Sequence, residues 1–281
     1  TSDIADGDTS NVLALMNDKG ADGMISLREA ILATNNTVND SSYLDRIEFD
    51  FIDNQAGHYY YQDDSTVNSL STIVATTVDD ASIADFDPDY AGYSWWKIDL
   101  SSALPTIDDA VVIDGYSQSG SSENTLTTEG TSDAILRVSL ESDLLGAEGL
   151  VLAADNVTIQ GLNINAEWNG IVTDGYSSHT IRGNIINADI TGTQDGEANG
   201  FTTAYGSGGV LFKNGSGHTI GGINPGDRNI LSGGDWRGIY LDGVTNTTIQ
   251  GNLIGVYADG ITASGGQDTG IDIINSSSIQ I

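Results

Sequence analysis

The sequence contains no cysteine and only three prolines and three histidines among its 281 residues. The lack of cysteine excludes disulfide bridges, cysteine-ligated zinc and a catalytic thiol. So few histidines also leave little material for a histidine-ligated zinc site. No segment reaches the ~18 consecutive apolar residues that a membrane-spanning helix needs, so the sequence predicts no membrane insertion.

Positive charge is scarce as well. Lys and Arg total 9 against 40 Asp and Glu, which gives a formal net charge of −31. A field of this sign repels nucleic acid, anionic membranes and polyanionic sugars unless divalent cations bridge them. The sequence therefore predicts no nucleic-acid partner. Two interpretations of the acidity stay open, a solvated surface suited to salty water and a set of cation-binding sites.

Glycine is abundant, at 35 residues, and many of the glycines belong to an internal repeat. Repeats with a period of about 20 to 50 residues are typical of solenoid architectures. The five copies are GLVLAADNVTIQGLNI (149–164), GIVTDGYSSHTIRGNII (170–186), GVLFKNGSGHTIGG (209–222), GIYLDGVTNTTIQGNLIG (238–255) and GIDIINSSSIQI (270–281).

Within each copy, apolar residues alternate with other residues after a leading glycine, which is the pattern of a half-buried strand. A polar corner and a second strand follow, and asparagines such as Asn184, Asn229 and Asn252 come next. The predicted inward columns are Leu150, Ile171, Val210, Ile239 and Ile271; Leu152, Thr173, Phe212, Leu241 and Ile273; and Ile159, Ile181, Ile220, Ile249 and Ile279. The predicted hydroxyl column is Thr158, Thr180, Thr219, Thr248 and Ser278.

One such unit cannot bury its apolar face alone, so we expect the units to stack at ~4.8 Å per coil around one shared core. This predicts an all-β fold, a parallel β-helix, with regular coils over 149–281. The leucine-rich horseshoe and the calcium-binding β-roll are excluded because their repeat motifs are absent. Longer excursions near 187–208 and 255–269 read as loops that leave a coil.

The N-terminal half has less regular strands and one helical segment. Ser26 and Glu29 have the spacing of a capping box, and Leu27 and Ile31 have helical spacing. A short helix in the region 1–46 would cap the open apolar end of the stack. The strands predicted as early, wider coils are 47–51, 71–78, 96–100, 110–115 and 135–140.

Three segments carry a resemblance to a known family: GADGMISLREAILATNNT (20–37), 100–125 and GHTIGGINPGDRNILSGG (217–234). The first resembles the CSLREAI-type motif near the start of many large bacterial extracellular β-helix proteins, with Ile25 where that motif has cysteine. The resemblance implies a right-handed parallel β-helix of the pectin-lyase-like class. It also implies a secreted or cell-surface protein with further domains after residue 281. It supplies no catalytic motif.

Residues 53–95 form an aromatic-rich insertion relative to that family. Sugars stack on aromatic rings, so the insertion is the predicted ligand-binding surface for a glycan. The competing interpretation is that these rings anchor the insertion to the wall of the β-helix, since aromatic side chains bury large areas. The predicted binding residues are Tyr59, Tyr60, Tyr61, Tyr90, Tyr93, Trp95 and Trp96.

Calcium is the predicted cofactor, in a structural role. It takes oxygen ligands from carboxylates, amides and backbone carbonyls. Asp85, Asp87 and Asp89, in the run DFDPD, have the right atoms, although the run lacks the terminal Glu of an EF-hand loop.

Two further patterns bear on chemistry. His179 and His218 occupy the same frame position in neighbouring copies, which predicts that their rings stack. Lys213, Arg182, Arg228 and Arg237 are the basic residues that a uronate lyase could use.

The sequence favours a non-catalytic adhesin or stalk module, secreted or on the bacterial cell surface, that binds glycan or another surface ligand. A polysaccharide lyase or glycoside hydrolase acting on an extracellular polysaccharide is the alternative, and a plain spacer is the third interpretation. The single domain spans 1–281 and is expected to be a fragment of a longer protein.

Overall fold

A computed structural model describes residues 3–39, 43–128, 130–142, 144, 146–196 and 208–281 of the chain. Two α-helices lie in these residues, α1 (Val12–Asn17) and α2 (Leu27–Asn35). Neither helix has the length and apolar character to cross a membrane. The rest of the described structure is mostly β, with strands gathered in three sheets.

The strands are short, which suits coils that turn a corner every few residues. In chain order they are β1 (Asp45–Glu48), β2 (His58–Gln62), β3 (Thr72–Thr76), β4 (Ser94–Asp99), β5 (Val111–Asp114), β6 (Val138–Ser142), β7 (Leu150–Leu152), β8 (Thr158–Gln160), β9 (Asn163–Ala166), β10 (Asn169–Asp174), β11 (Thr180–Arg182), β12 (Ile185–Ile186), β13 (Gly208–Lys213), β14 (Thr219–Gly221), β15 (Ile230–Leu231), β16 (Arg237–Asp242), β17 (Thr248–Gln250), β18 (Leu253–Ile254) and β19 (Thr269–Ile274).

The three sheets take strands in a fixed rotation. Sheet I has the order β1-β5-β8-β11-β14-β17, sheet II the order β7-β10-β13-β16-β19, and sheet III the order β18-β15-β12-β9-β6-β4-β2-β3. Each full repeat gives one strand to sheet II, then one to sheet I and one to sheet III. All pairs in sheets I and II are parallel, as is sheet III from β18 to β4. The prediction of a mostly β fold with parallel, solenoid-like sheets is confirmed.

The predicted register holds through four copies. Leu150, Ile171, Val210, Ile239 and Ile271 are successive partners in sheet II. Thr158, Thr180, Thr219 and Thr248 are successive partners in sheet I. The last copy differs, because Gln280 pairs with Thr248 where the sequence predicted Ser278. The fifth copy keeps the register of its first strand, and its corner is two residues longer than the alignment assumed.

One apolar core lies between the three sheets. It contains the inward residues of all of them, such as Ile159 from sheet I, Phe212 from sheet II and Leu140 from sheet III. These side chains are almost fully buried. Burial of such a continuous core is what stabilises a stack of units that cannot fold singly.

Helix α2 packs against the N-terminal end of this core through Leu27 and Ile31. Its N-terminus has the predicted capping box, with Ser26 accepting from the Glu29 backbone and Glu29 accepting from the Ser26 backbone. The helix predicted at the chain start is confirmed. Helix α1, capped by Asn11, was not predicted.

The insertion forms a hairpin on the edge of sheet III. β2 pairs antiparallel with both β4 and β3. The segment 71–78 was predicted as an early coil, and this is wrong, because β3 belongs to the antiparallel hairpin. Its alternating pattern suits either pairing, so the pattern alone could not tell the two apart.

Candidate functional site

Most of the aromatic residues predicted to bind a ligand are buried. The side chains of Trp95, Trp96, Tyr61, Tyr90 and Tyr60 are each 8% exposed or less. A buried ring cannot stack on a sugar, so these five are corrected to anchors of the insertion. Of the predicted set, Tyr93 is 45% exposed and Tyr59 is half-buried.

The anchoring role is visible in the contacts of the buried rings. Trp95 packs against Tyr61 and Tyr90 with ring centroids 4.9 and 5.8 Å apart. The Tyr61 hydroxyl donates to the buried Asp189 carboxylate at 3.0 Å, and the Tyr90 hydroxyl donates to the carbonyl oxygen of Leu136 at 2.8 Å. Buried aromatic hydroxyls usually find such partners. These contacts join the insertion to sheet III and to the loop that follows β12.

The three aspartates predicted to hold calcium do not converge in the described residues. Asp85 accepts from the Tyr60 hydroxyl and the Gln62 amide, and Asp89 accepts from the backbone N–H of Asn68. No group of three or more acidic or histidine side chains within the described ranges is arranged to hold a metal ion. Asp87 is buried, and its Oδ2 has no hydrogen-bond partner. Calcium binding stays a prediction.

A cleft of about 800 Å³ lies between the N-terminal cap and the outer face of sheet III. Tyr59, Lys97 and Asp99 form its sheet wall. Pockets of this size that combine apolar surface with a few polar groups are the usual place for a small ligand. The other residues that line the cleft are Asp22, Met24, Ile52, Asn54, Gln55, Ala56 and Gly57.

Two of the lining residues, Lys97 and Asp99, form a charged group with Glu141, which lies beneath Lys97. Lys97 Nζ lies 3.0 Å from Asp99 Oδ1 and 3.2 Å from Glu141 Oε2. Asp99 and Glu141 are direct register partners on β4 and β6. Both point outward, because the residues that precede them, Ile98 and Leu140, point into the core. Asp99 is 64% exposed, whereas Glu141 is 5% exposed beneath Lys97.

Asp99 and Glu141 share the ammonium of Lys97, but only Glu141 is buried. Burial raises the pKa of Glu141 to about 7, against the opposing effect of Lys97. Although burial lowers the pKa of Lys97, the carboxylates of Glu141 and Asp99 raise it above its ordinary value. Lys97 therefore stays charged near neutral pH while Glu141 exchanges its proton there.

Ser139 lies between Glu141 and Asn163. Ser139 Oγ lies 3.0 Å from Glu141 Oε1 and 2.8 Å from Asn163 Oδ1. The Asn163 amide nitrogen donates to the carbonyls of Ile185 and Ala188, which fixes Oδ1 as an acceptor. The Ser139 hydroxyl donates to Glu141 Oε1, and this hydrogen bond lowers the pKa of Glu141 in opposition to burial.

The cleft offers a half-buried aromatic face beside groups that donate and accept hydrogen bonds. Lys97 Nζ lies over the Tyr59 ring, 5.4 Å from its centre, so a sugar that stacks on this face has to displace the ammonium. A sugar has the matching chemistry, with an apolar face for the ring and hydroxyls for Asp99, Gln55 and Asn54.

The other predicted groups have structural partners. The rings of His179 and His218 stack with centroids 5.1 Å apart, as predicted, and both are buried. Three of the basic residues proposed for a lyase are engaged, since Arg182 pairs with Asp227, Arg228 donates to the Gly251 carbonyl and Arg237 pairs with Asp272. Lys213 is the last residue of β13, an interior strand of sheet II.

Sequence reasoning found Tyr59 but missed Lys97, Asp99 and Glu141. A signal existed in the alternation of β4 and β6, whose outward positions carry Lys97 and Asp99 on one strand and Ser139 and Glu141 on the next. Register between the two strands was needed to bring the charges together, and the sequence around these less regular coils does not fix it.

Comparison of the chain with family models, with curated proteins and with solved structures finds no match.

Proposed function

We propose that the chain is a module of a secreted or cell-surface bacterial protein whose three sheets wind into a right-handed parallel β-helix of the pectin-lyase-like class. The rotation of successive strands through sheets II, I and III supports the winding. The resemblance of segment 20–37 to CSLREAI-type proteins supports the class and the extracellular location. The net charge of −31 is compatible with a solvated surface outside the cell.

The proposed activity is non-catalytic binding of a glycan in the cleft, as an adhesin or stalk module. One observation carries this proposal: Tyr59, Lys97 and Asp99 line a cleft of about 800 Å³ together with Asn54 and Gln55, whose side chains are amides. An aromatic ring beside mixed hydrogen-bonding groups suits a sugar ring better than a nucleotide or a lipid.

A glycan array followed by calorimetry on the best ligand tests this proposal. Tyr59→Ala should lower the affinity roughly tenfold, because it removes the stacking surface, and Asp99→Ala should lower it by a similar factor. Tyr93→Ala is the matched control, since Tyr93 is an exposed tyrosine of the same insertion that does not line the cleft. Equal affinities for all three variants and the unmodified chain would rule out the cleft as the glycan site.

Glycoside hydrolysis is a second candidate function, and one observation favours it. Asp99 and Glu141 are adjacent across parallel strands, which lie ~4.8 Å apart. Retaining glycosidases hold their two carboxyl groups at about 5–5.5 Å, with one kept protonated. Glu141 lies beneath Lys97 and does not line the cleft, so hydrolysis requires Lys97 to move aside. Binding therefore ranks first.

Release of reducing ends from the glycan that binds best tests the second candidate. Glu141→Gln and Asp99→Asn should each lower the rate at least ~10²-fold, as for loss of a general acid or a nucleophile. Binding with no release by the unmodified chain would leave the module non-catalytic.

A further inference from the structure

The cleft already holds one ammonium group, that of its own lysine. Lys97 Nζ lies over the Tyr59 ring, 5.4 Å from its centre, and 3.0 Å from Asp99 Oδ1. An aromatic face attracts a cation through its quadrupole, and a carboxylate beside it adds an ion pair. We call the space next to the Tyr59 ring and the Asp99 carboxylate the ammonium position.

Lys97 has another partner that lies outside the cleft. Its Nζ is 3.2 Å from Oε2 of Glu141, which is 5% exposed and does not line the cleft. Asp99, by contrast, lines the cleft and is 64% exposed. A ligand can therefore compete with Lys97 for Asp99 and Tyr59, while Glu141 still holds the lysine from beneath.

The charge of the cleft favours a cationic ligand over a neutral one. Its lining has two carboxylates, Asp22 and Asp99, against the single ammonium of Lys97, which the buried Glu141 shares. The net charge of −31 attracts a polycation over longer distances. A neutral sugar that stacks on Tyr59 displaces the lysine ammonium and brings no charge in return. A sugar that carries an ammonium group restores both contacts.

We propose that the cleft binds an amino-sugar polymer, with an ammonium group of the polymer in the ammonium position and Lys97 moved onto Glu141. The incoming positive charge favours the ionised form of Glu141, which holds Lys97 more firmly. The hydroxyls of the bound sugars find hydrogen-bonding groups in the amides of Asn54 and Gln55, which line the same cleft. This inference rests on the proposed glycan-binding function and names the class of glycan, one with free amino groups.

Two oligosaccharides that differ only at nitrogen test the proposal, namely a β-1,4-linked glucosamine oligomer and its N-acetylated form of the same length. Calorimetry on the whole chain is run slightly below neutral pH, where the free amines carry protons. NaCl at about 0.5 M reduces the Debye length to about 4 Å, which screens diffuse attraction more than direct contacts. We expect the amino form to bind at least roughly tenfold more tightly than the N-acetylated form.

Substitution of Asp99 separates a contact from diffuse attraction. Asp99→Asn should lower the affinity for the amino form roughly fivefold, because the ion pair is lost. It should change the affinity for the N-acetylated form little, because the amide still forms hydrogen bonds with hydroxyls. Asp63→Asn is the matched control, since Asp63 is an exposed carboxylate of the same insertion outside the cleft. Both variants change the net charge equally.

Substitution of Lys97 gives a readout in the opposite direction. Lys97→Met vacates the ammonium position, so it should raise the affinity for the amino form roughly fivefold. Lys213→Met makes the same change of charge on sheet II, away from the cleft, and should leave the affinity unchanged. Circular dichroism and urea unfolding verify that both variants fold.

Four outcomes would overturn the proposal. Equal affinities for the two oligomers, both reduced by Tyr59→Ala, would leave glycan binding in the cleft but remove the preference for an amine. Equal losses in Asp99→Asn and Asp63→Asn would reduce the binding to diffuse attraction. A loss of affinity in Lys97→Met would mean that the lysine itself binds the ligand. If neither oligomer binds, the amino-sugar class is excluded, and neutral glycans whose binding depends on Tyr59 decide the proposed function separately.

Discussion

Glu29 organises the N-terminal cap through four hydrogen bonds to one carboxylate. Its Oε1 accepts from the backbone N–H groups of Asp6 and Gly7 at 2.8 and 2.7 Å. Its Oε2 accepts from the backbone N–H and the hydroxyl of Ser26 at 2.8 and 3.1 Å. Its neighbour Arg28 pairs with Asp3. The SLREA motif is therefore structural, since its acidic and basic residues both tie the first residues of the chain to helix α2.

We predict that Glu29→Gln lowers the free energy of unfolding by about 3 kcal/mol. The amide nitrogen of glutamine would face N–H donors where an oxygen now accepts, leaving buried donors without partners. Urea unfolding followed by circular dichroism measures the change. Glu48→Gln, an exposed carboxylate on β1, is the control and should cost under about 0.5 kcal/mol. Similar costs for the two variants would contradict the role assigned to Glu29.

The capping pair of Ser26 and Glu29 was predictable because it depends on residues three apart in sequence. The bonds from Asp6 and Gly7 span more than twenty residues and leave no periodic trace. The same limit applies to the insertion. Sequence identifies its rings, but only the fold decides that Trp95 is buried and Tyr93 is not.

The stacked histidines make stability depend on pH. Burial, and to a smaller extent the charge of His218, lower the pKa of His179 to about 4; burial likewise lowers the pKa of His218 to about 4. The unfolded chain binds these protons near pH 6.5. Between about pH 6.5 and 4 the unfolded state holds more protons, so stability falls as the pH falls.

We predict that this effect reaches roughly 3 kcal/mol per ring by pH 4. Thermal unfolding of the unmodified chain and of a His179→Gln/His218→Gln variant, measured from pH 8 to 4, isolates it by difference. Glu141 acts in the opposite sense, because its raised pKa makes the folded state bind the extra proton between about pH 4.5 and 7. Parallel curves for the two proteins would contradict the prediction.

At the scale of the element, the glycine that leads each repeat is explained by packing and not by a turn conformation. Gly149, Gly170, Gly209, Gly238 and Gly270 form one column at the start of sheet II. None of them has a positive φ. A Cβ at Gly209 would instead lie 2.3 Å from the carbonyl oxygen of Gly238 and 2.8 Å from a methyl of Leu231. Close approach of successive coils explains these glycines.

We predict that Gly209→Ala lowers the free energy of unfolding by at least about 3 kcal/mol, because backbone on the next coil would have to move. Gly265→Ala is the control, since its Cβ would meet only Asp195 Oδ2 at 3.7 Å and its φ is not positive. Denaturant unfolding compares the two variants. Equal costs would show that the coils separate easily at this corner.

The strand columns were predictable because a buried core imposes a strict period of two on each strand. The predicted pairing was wrong at the corner of the last copy, where the period of two does not determine the length of the corner. The last corner could be shortened by two residues without moving an apolar residue out of place, so Ser278 was paired in place of Gln280. The asparagines at the other corners keep one register. Asn184, Asn229 and Asn252 stack, and the Asn229 amide donates to Asn252 Oδ1 at 2.8 Å.

At the scale of the whole molecule, the insertion adds an antiparallel hairpin to the N-terminal edge of sheet III. It is held by side chains distant in sequence, such as Arg137, which donates to the Ser94 carbonyl at 2.8 Å and pairs with Asp80 at 2.9 Å. The cleft is lined by the cap, by the segment that leads into β2, and by β2 and β4 themselves. The sequence does not fix the register of these N-terminal coils. It therefore predicts the solenoid-like stack but not the cleft.

The net charge of −31 also acts on the whole molecule, because like charges repel more in the compact state than in the unfolded chain. We predict that NaCl raises the melting temperature by several degrees between about 0.02 and 0.5 M, as the Debye length shrinks.

If the predicted calcium site exists, CaCl₂ at matched ionic strength raises the melting temperature further. Asp87→Asn removes that increment, because Asp87 Oδ2 is buried without a partner. Asp63→Asn, an exposed neighbour, should keep the increment. If the melting temperature depends on ionic strength in the same way for both salts, there is no calcium site and screening is the whole effect.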